Sequence, residues 1–142
     1  MSQENVEELV RRVCDEFNAF MRDELSSEAL LEAFDPQIEL HWPDQRTYPD
    51  TPQHLRGVRE FIEFTEQYRS AWDDLTQEPL EFVEAPDDRV VASIRQSGRG
   101  RESGVPIVIH FFEVLTIRDG RVRKIEYFRH RAGALKAAGL RE

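Results

Sequence analysis

The sequence predicts an α+β fold, because helical periodicity fills its first part and strand-like stretches fill its second. Apolar residues recur every three or four positions along residues 6–21, as on one face of an amphipathic helix. From residue 75 onward, stretches rich in Val, Ile and Phe alternate with short turn sequences. A chain of 142 residues suits one domain, so we expect a single domain over residues 1–142.

Two helices are expected before the first strand. The second of them starts at Ser26 or Ser27, whose hydroxyl can cap it. It stops at Asp35-Pro36, because a residue that precedes proline avoids the helical conformation. The first helix carries an apolar stripe made of Val6, Leu9, Val10, Val13, Phe17, Phe20 and Met21.

A third helix is expected after Gly57, and a short fourth one over residues 134–138. Gly139 stands where a helix commonly ends, since glycine adopts the left-handed conformation at no steric cost. The apolar face of the third helix consists of Val58, Phe61, Ile62, Thr65, Tyr68 and Trp72, with Phe64 beside it.

The strands are predicted from alternation and from the turn residues between them. Residues 38–42 alternate and then meet a proline, which indicates a short strand. Residues 43–52 contain three prolines and form a loop of a length that commonly acts as a lid. Longer strands are predicted over residues 75–85, 89–99, 107–117 and 122–128.

Composition and charge narrow the class of protein. The chain is 39% hydrophobic and 33% charged, it holds one cysteine, Cys14, and nowhere do 18 apolar residues run together. Five acidic residues among the first twenty exclude a secretory leader, so we expect a cytoplasmic protein with no membrane partner. Residues 1–88 carry 23 acidic and 7 basic side chains, whereas residues 89–142 carry 5 and 12. The basic residues alternate along strands and the whole chain is acidic, so we expect no nucleic-acid partner.

One acidic residue stands inside the most apolar stretch. Glu113 lies at the centre of residues 107–117, and such a carboxylate must be paired, protonated or facing a cavity. Two hairpin registers are open. A two-residue turn at Asp119-Gly120 sets Glu113 opposite Glu126, and a three-residue loop with a bulge sets it opposite Ile125.

The second register is preferred, because two glutamates facing each other across a ladder cost energy. It also gives one mostly apolar face, on which burial would raise the pKa of Glu113 and make it a proton donor near neutral pH. That face consists of Ile109, Phe111, Glu113, Leu115, Ile117, Ile125 and Tyr127.

The order of elements and five local stretches resemble the SnoaL-like branch of the nuclear transport factor 2-like superfamily. The stretches are residues 34–38, Tyr48 to Gly57, 98–104, 116–122 and 134–140. The resemblance implies a cone-shaped, curved antiparallel sheet that encloses a pocket with three helices, followed by a short C-terminal helix. It implies no particular activity, because this fold carries many functions.

The resemblance also implies roles for single residues. Glu113 matches the strand position at which ketosteroid isomerase relatives carry the acid that stabilises an oxyanion. The general base of those relatives corresponds to Trp42, so Asp44 is the candidate replacement if its loop folds inward. Their oxyanion-hole tyrosine falls near Phe17-Asn18, where no tyrosine occurs, and the acid of the cyclase branch corresponds to Tyr127.

The candidate site therefore has a small catalytic set and a larger apolar wall. Glu113, Tyr127 and Asp44 are the candidate catalytic residues. The expected ligand is an apolar small molecule, and no cofactor is implied. The candidate ligand-binding residues are Trp42, Phe61, Phe64, Tyr68, Phe111, Leu115, Ile125 and Phe17.

Two functions remain open. One is cofactor-free proton transfer on a hydrophobic carbonyl or polycyclic compound, as in an isomerase, cyclase or dehydratase. The other is a non-catalytic ligand-binding or dimeric structural module with an incomplete acid–base set.

The histidines show no metal-binding spacing, and a homodimer is the expected partner. No HxH, HExxH or HxxxH pattern occurs, so no metal site is predicted. The opposite sheet face carries large apolar side chains, which commonly mark interfaces. The residues predicted to form the dimer interface are His110, Phe112, Val114 and Phe128.

Overall fold

A six-stranded sheet and four α-helices form the part of the chain that the computed structural model describes, residues 3–43 and 54–141. Within these ranges no helix is both long enough and apolar enough to cross a membrane. The helices are α1 (Gln3–Met21), α2 (Ser27–Leu30), α3 (Gly57–Ser70) and α4 (Arg131–Ala137). The strands are β1 (Phe34–His41), β2 (His54–Arg56), β3 (Trp72–Ala85), β4 (Arg89–Gly100), β5 (Pro106–Arg118) and β6 (Arg121–Phe128).

The strands follow the order β2-β1-β6-β5-β4-β3 across the sheet. The predicted α+β class is confirmed. The sheet is mixed, however, because β1 runs parallel to β6 while the other four neighbouring pairs are antiparallel. Three consecutive hairpins connect the antiparallel strands β3 to β6. Strand β1 precedes them in the sequence and pairs with the last of them, β6.

The second helix is shorter than predicted. Ser26 caps it by accepting a hydrogen bond from the Ala29 amide, but α2 ends at Leu30 and a 3₁₀ turn covers Leu31–Ala33. Asp35-Pro36 therefore lies inside β1, where the pairing with β6 is irregular between Phe34 and Glu39. A proline is tolerated there because its missing N–H removes no regular ladder bond.

The hairpin between β5 and β6 combines features of the two predicted registers. Asp119-Gly120 makes a two-residue turn, since Arg118 pairs with Arg121 and both turn residues have positive φ. The register then shifts by one residue just beyond the turn, between Thr116 and Ile117. Glu113 consequently lies opposite Tyr127, and neither predicted partner, Glu126 or Ile125, faces it. The preferred face nevertheless stays intact, because the shift restores the side-chain alternation.

The main core lies between the sheet and the helices α1, α2 and α3. Val6 and Val10 of α1 and Phe61 of α3 are buried against Leu115 and Ile125 of the sheet. This inner face of the sheet is therefore the one that carries Glu113, two residues before Leu115.

The outer face of the sheet is partly covered by α4. Val114 and Phe128, predicted as interface residues, are instead buried beneath Ala134 and Leu135. That part of the interface prediction is wrong, because the apolar side of the short last helix packs on the strands. Phe112 is half-buried beside the same cluster, and His110 remains exposed.

Helix α1 is joined to the free edge of β3 by a side chain. The Asn18 amide nitrogen donates to the Gln77 carbonyl oxygen at 3.0 Å, and the Gln77 N–H donates to Asn18 Oδ1 at 2.7 Å. Asn18 is buried, and β3 is the last strand of the sheet. One side chain thus satisfies both backbone groups of an edge residue, as a neighbouring strand would.

Candidate functional site

Aromatic rings from five elements meet above the inner face of the sheet. Trp42, which follows β1, stacks on Tyr127 of β6 with centroids 5.0 Å apart, and it also contacts Phe64 of α3 at 5.2 Å. The row continues from Phe64 to Tyr68 at 5.9 Å and from Tyr68 to Trp72 of β3 at 5.8 Å. Each ring is half-buried, so part of its surface remains open to solvent.

Local sequence explains why these rings converge. Phe64 and Tyr68 are four residues apart on α3 and therefore share one helix face. Tyr127 and Ile125 alternate along β6 on the inner side of the sheet, and Phe111 of β5 reaches Tyr127 at 6.1 Å. The wall is thus formed by one face of α3, by side chains of β3, β5 and β6, and by Trp42 at the end of β1.

Glu113 is buried beneath this wall without a compensating charge. It is 6% exposed, and burial raises its pKa from 4.5 to about 7. No cation among the described residues lowers that pKa, so desolvation is the whole cause. Near neutral pH the group therefore holds its proton much more firmly than an exposed glutamate, and a protonated carboxyl can donate a hydrogen bond.

Besides burial, the charge of Glu113 raises the pKa values of Tyr127 and Cys14, and both of these groups are protonated at neutral pH. Burial raises the pKa of Tyr127 well above its usual value, and the neighbouring Glu113 raises it further. Burial and then Glu113 raise the pKa of the Cys14 thiol on α1. The phenol opposite Glu113 is therefore a hydrogen-bond donor, and Cys14 is an unreactive thiol.

A buried polar chain that sequence reasoning missed runs beside the aromatic row. Gln96 of β4 donates through Nε2 to the Tyr68 hydroxyl at 2.6 Å and accepts from Gln77 Nε2 at 2.9 Å. The signal was present, because Gln96 continues the inward alternation of Ala92 and Ile94 with a polar side chain. Its bonds fix the Tyr68 ring, and through Gln77 they connect to the end of α1 held by Asn18.

The structure places the other predicted site residues at different depths. Phe61 contacts Phe34 at 4.7 Å within the core, and Leu115 and Ile125 form the floor beneath the rings. Phe17 on α1 is half-buried. Asp44, the predicted base, lies outside the described residues.

The arrangement brings apolar aromatic rings beside two hydrogen-bond donors. The rings of Trp42, Tyr68 and Tyr127 supply apolar area, and Glu113 and Tyr127 supply two protons on facing strand positions. Directly opposite strand positions have Cβ atoms about 4.5–5.5 Å apart, which is close enough for both groups to reach one acceptor.

The sequence matches the family model of the SnoaL-like domain over residues 10–125. That range contains Glu113, the half-buried rings of α3 and most of the sheet, although it ends two residues before Tyr127. The chain belongs to the SnoaL-like family. No curated protein matches the sequence.

Solved structures of SnoaL-like and related proteins share the fold at low sequence identity. A protein of unknown function from Burkholderia pseudomallei, described as NTF2-like, is 22% identical, with 97% of this chain and 98% of that chain covered and a TM-score of 0.70. A candidate SnoaL-like polyketide cyclase from Jannaschia is 19% identical, with 97% and 95% covered and a TM-score of 0.72. TerC, co-crystallised with polyporic acid, is 21% identical, with 86% and 92% covered and a TM-score of 0.66.

Proposed function

We propose that this SnoaL-like protein binds an apolar, carbonyl-bearing small molecule against its aromatic row, with protonated Glu113 donating a hydrogen bond to the carbonyl oxygen. The observation that carries the proposal is a buried carboxyl with no charged partner, facing a tyrosine beneath half-buried rings. A stable fold gains nothing from such a group, because burying a carboxylate costs free energy unless it stays protonated. A ligand oxygen above the sheet would give that proton an acceptor.

This donor pair supports isomerase, cyclase or dehydratase chemistry on the bound carbonyl. Hydrogen bonds to the oxygen stabilise the negative charge that develops when a proton leaves the neighbouring carbon. TerC, a structural neighbour, was crystallised with polyporic acid, which is consistent with a small-molecule site in this fold.

A purely ligand-binding role is the second candidate, and a specific observation favours it. Tyr127 and Cys14, which sense the charge of Glu113, have raised pKa values, so neither acts as a base at neutral pH. The donor half of the acid–base set is thus present in the described part of the chain, and Asp44, which lies outside that part, is the residue that we propose for the accepting half. Asp44→Ala abolishes turnover if the protein is an enzyme, and it leaves binding intact under both candidates.

The pH dependence of ligand affinity tests the role of Glu113. Anthraquinone and anthracene form a matched pair of flat ligands with and without carbonyl oxygens. We expect the affinity for anthraquinone to fall by about tenfold in total as the pH rises through 7 and then to level off at the affinity that the apolar contacts alone provide, because only the protonated fraction of Glu113 donates. The only two tryptophans, Trp42 and Trp72, both belong to the aromatic row, so quenching of intrinsic fluorescence measures occupancy directly.

Two controls complete this experiment. Anthracene should bind with an affinity that does not change with pH, and Glu113→Gln should make anthraquinone binding independent of pH as well, since the amide donates at every pH. A wild-type affinity for anthraquinone that stays constant from pH 6 to 9 would contradict the proposal, and so would saturable binding that leaves both tryptophans unquenched.

We also propose that a second copy of the chain packs on the part of the outer sheet face that α4 leaves open. The remaining interface residues are His110, held to Ser93 at 2.6 Å, and half-buried Phe112. Val108 extends this surface along β5 and is 62% exposed, which is unusual for a valine in a strand. The predicted interface is thereby shifted toward the N-terminal half of β5.

Analytical ultracentrifugation tests this dimer. We expect a molar mass of about twice 16.7 kDa for the wild type, and dissociation to the monomer in Val108→Glu, because a charge in the contact loses its hydration. Gln67→Glu, at an exposed position of α3, adds a negative charge on the opposite side of the sheet and should leave the mass unchanged. A monomeric wild type at high concentration contradicts the proposal.

A further inference from the structure

Two histidines and a glutamate converge at the β1–β2 end of the sheet. Glu39 Oε1 lies 2.9 Å from His54 Nε2 and 3.4 Å from His41 Nε2. The three donor atoms all lie within 4.8 Å of one another. Each side chain is about one-quarter exposed, so solvent reaches the cluster.

The pairing of β1 with β2 brings these three residues together, and no short sequence motif contains all of them. Glu39 and His41 alternate with buried Ile38 and Leu40 along β1, which points them to the outer face of the sheet. His54 of β2 pairs directly with His41 in the antiparallel ladder. The cluster therefore lies on the opposite face from Glu113 and is separate from the site proposed above.

The two imidazole rings present the same nitrogen to the carboxylate. They stack with centroids 3.9 Å apart, and the Nε2 atom of each ring lies within hydrogen-bond distance of Glu39 Oε1. The three potential ligand atoms are therefore already gathered at one point on the surface of the sheet.

Neighbouring cations orient the Glu39 carboxylate and lower the affinity that we expect for a metal ion. Arg123 donates to Glu39 Oε2 at 2.9 Å, which leaves Oε1 directed at the histidines. Ligating carboxylates are commonly held in this way by an outer hydrogen bond. Arg56 lies 3.9 Å from Oε1 and contacts the His54 ring, and Lys124 pairs with Glu126. These cations oppose a divalent ion, so we expect micromolar rather than nanomolar affinity.

We propose that Glu39, His41 and His54 bind a divalent transition-metal ion such as Zn²⁺ on the outer face of the sheet. Two ligands about 2.0–2.1 Å from a tetrahedral zinc ion are about 3.3 Å apart, and the two distances from Glu39 Oε1 lie on either side of that value. Two imidazoles and one carboxylate are a ligand set of catalytic zinc sites, which keep a fourth position open for water or an anion. The stacked rings need only splay so that both Nε2 lone pairs point at the ion.

Calorimetric titration of the tag-free protein with ZnCl₂ tests this site. We expect one Zn²⁺ ion per chain, and at least about tenfold weaker binding in Glu39→Gln and in His54→Gln, because each removes a ligand. His130→Gln changes an exposed histidine that precedes α4, outside the cluster, and should bind zinc as the wild type does.

A second readout separates loss of a ligand from loss of fold. Zinc should raise the urea midpoint of the wild type and of His130→Gln, since an ion that binds only the folded state stabilises it. The two ligand variants should unfold cooperatively without zinc and show no such rise. Absence of zinc uptake by the wild type would overturn the proposal, as would equal uptake by the ligand variants and His130→Gln.

Discussion

Glu113→Gln should become more stable than the wild type as the pH rises. Below pH 4.5 the carboxyl is protonated in both the folded and the unfolded chain, so ionisation contributes no difference there. Between pH 4.5 and about 7 the unfolded chain ionises Glu113 while the folded chain retains the proton. The folded state binds more protons, so the free energy of unfolding of the wild type falls across this window, by about 3 kcal/mol at 1.36 kcal/mol per pH unit.

Urea denaturation of both proteins from pH 4 to 8 measures this effect. The difference in unfolding free energy between Glu113→Gln and the wild type should move by about 3 kcal/mol in favour of the variant and level off above pH 7. Glu102→Gln removes an exposed carboxylate between β4 and β5 and should run parallel to the wild type at every pH. If Glu113→Gln also runs parallel to the wild type, Glu113 is not the desolvated carboxyl that the site requires.

Asn18→Ala should cost about 2–4 kcal/mol of stability. The substitution removes both hydrogen bonds to Gln77 and leaves an N–H and a C=O at the edge of β3 unpaired beneath α1. An unsatisfied buried polar group costs about 1–3 kcal/mol, and two are created here. The effect should extend to the aromatic row, because the Gln77 side chain bonds Gln96, which in turn bonds Tyr68.

Chemical denaturation measures the loss, and hydrogen exchange locates it. The Gln77 amide should exchange slowly in the wild type and much faster in Asn18→Ala. Asp15→Ala, exposed on the same helix, should change stability by less than about 0.5 kcal/mol. An Asn18→Ala variant as stable as Asp15→Ala would show that packing alone holds α1 on β3.

The sequence was sufficient for the fold class and for the inner face of the sheet. Periodicity along α1 and alternation along β5 and β6 are local signals, so the burial of Leu115 and Ile125 followed from them. The register near Asp119-Gly120 could not be predicted in this way. A turn sequence determines the turn, but it does not reveal a bulge farther along the strands, between Thr116 and Ile117. That bulge decided that Tyr127, and neither Glu126 nor Ile125, faces Glu113.

Features that depend on tertiary contacts were the ones that sequence reasoning missed. The helix over residues 134–138 was expected, but nothing local indicates that it packs on Val114 and Phe128. His41 and His54 are thirteen positions apart and meet only because β2 pairs with β1. Gln96 was detectable in principle, since it interrupts an apolar alternation in the same way as Glu113 does.

The bond between Asn18 and Gln77 also bears on how the protein behaves at high concentration. A fourteen-residue terminal strand such as β3 presents a template on which another chain could add a strand and begin aggregation. Here a side chain already occupies the outward-facing donor and acceptor of Gln77, and Pro79 offers no N–H two residues later. The ladder is also irregular on both sides of this point, between Asp73 and Thr76 and between Pro79 and Glu81. These features reduce the number of backbone groups on this edge with which a strand of another chain could pair.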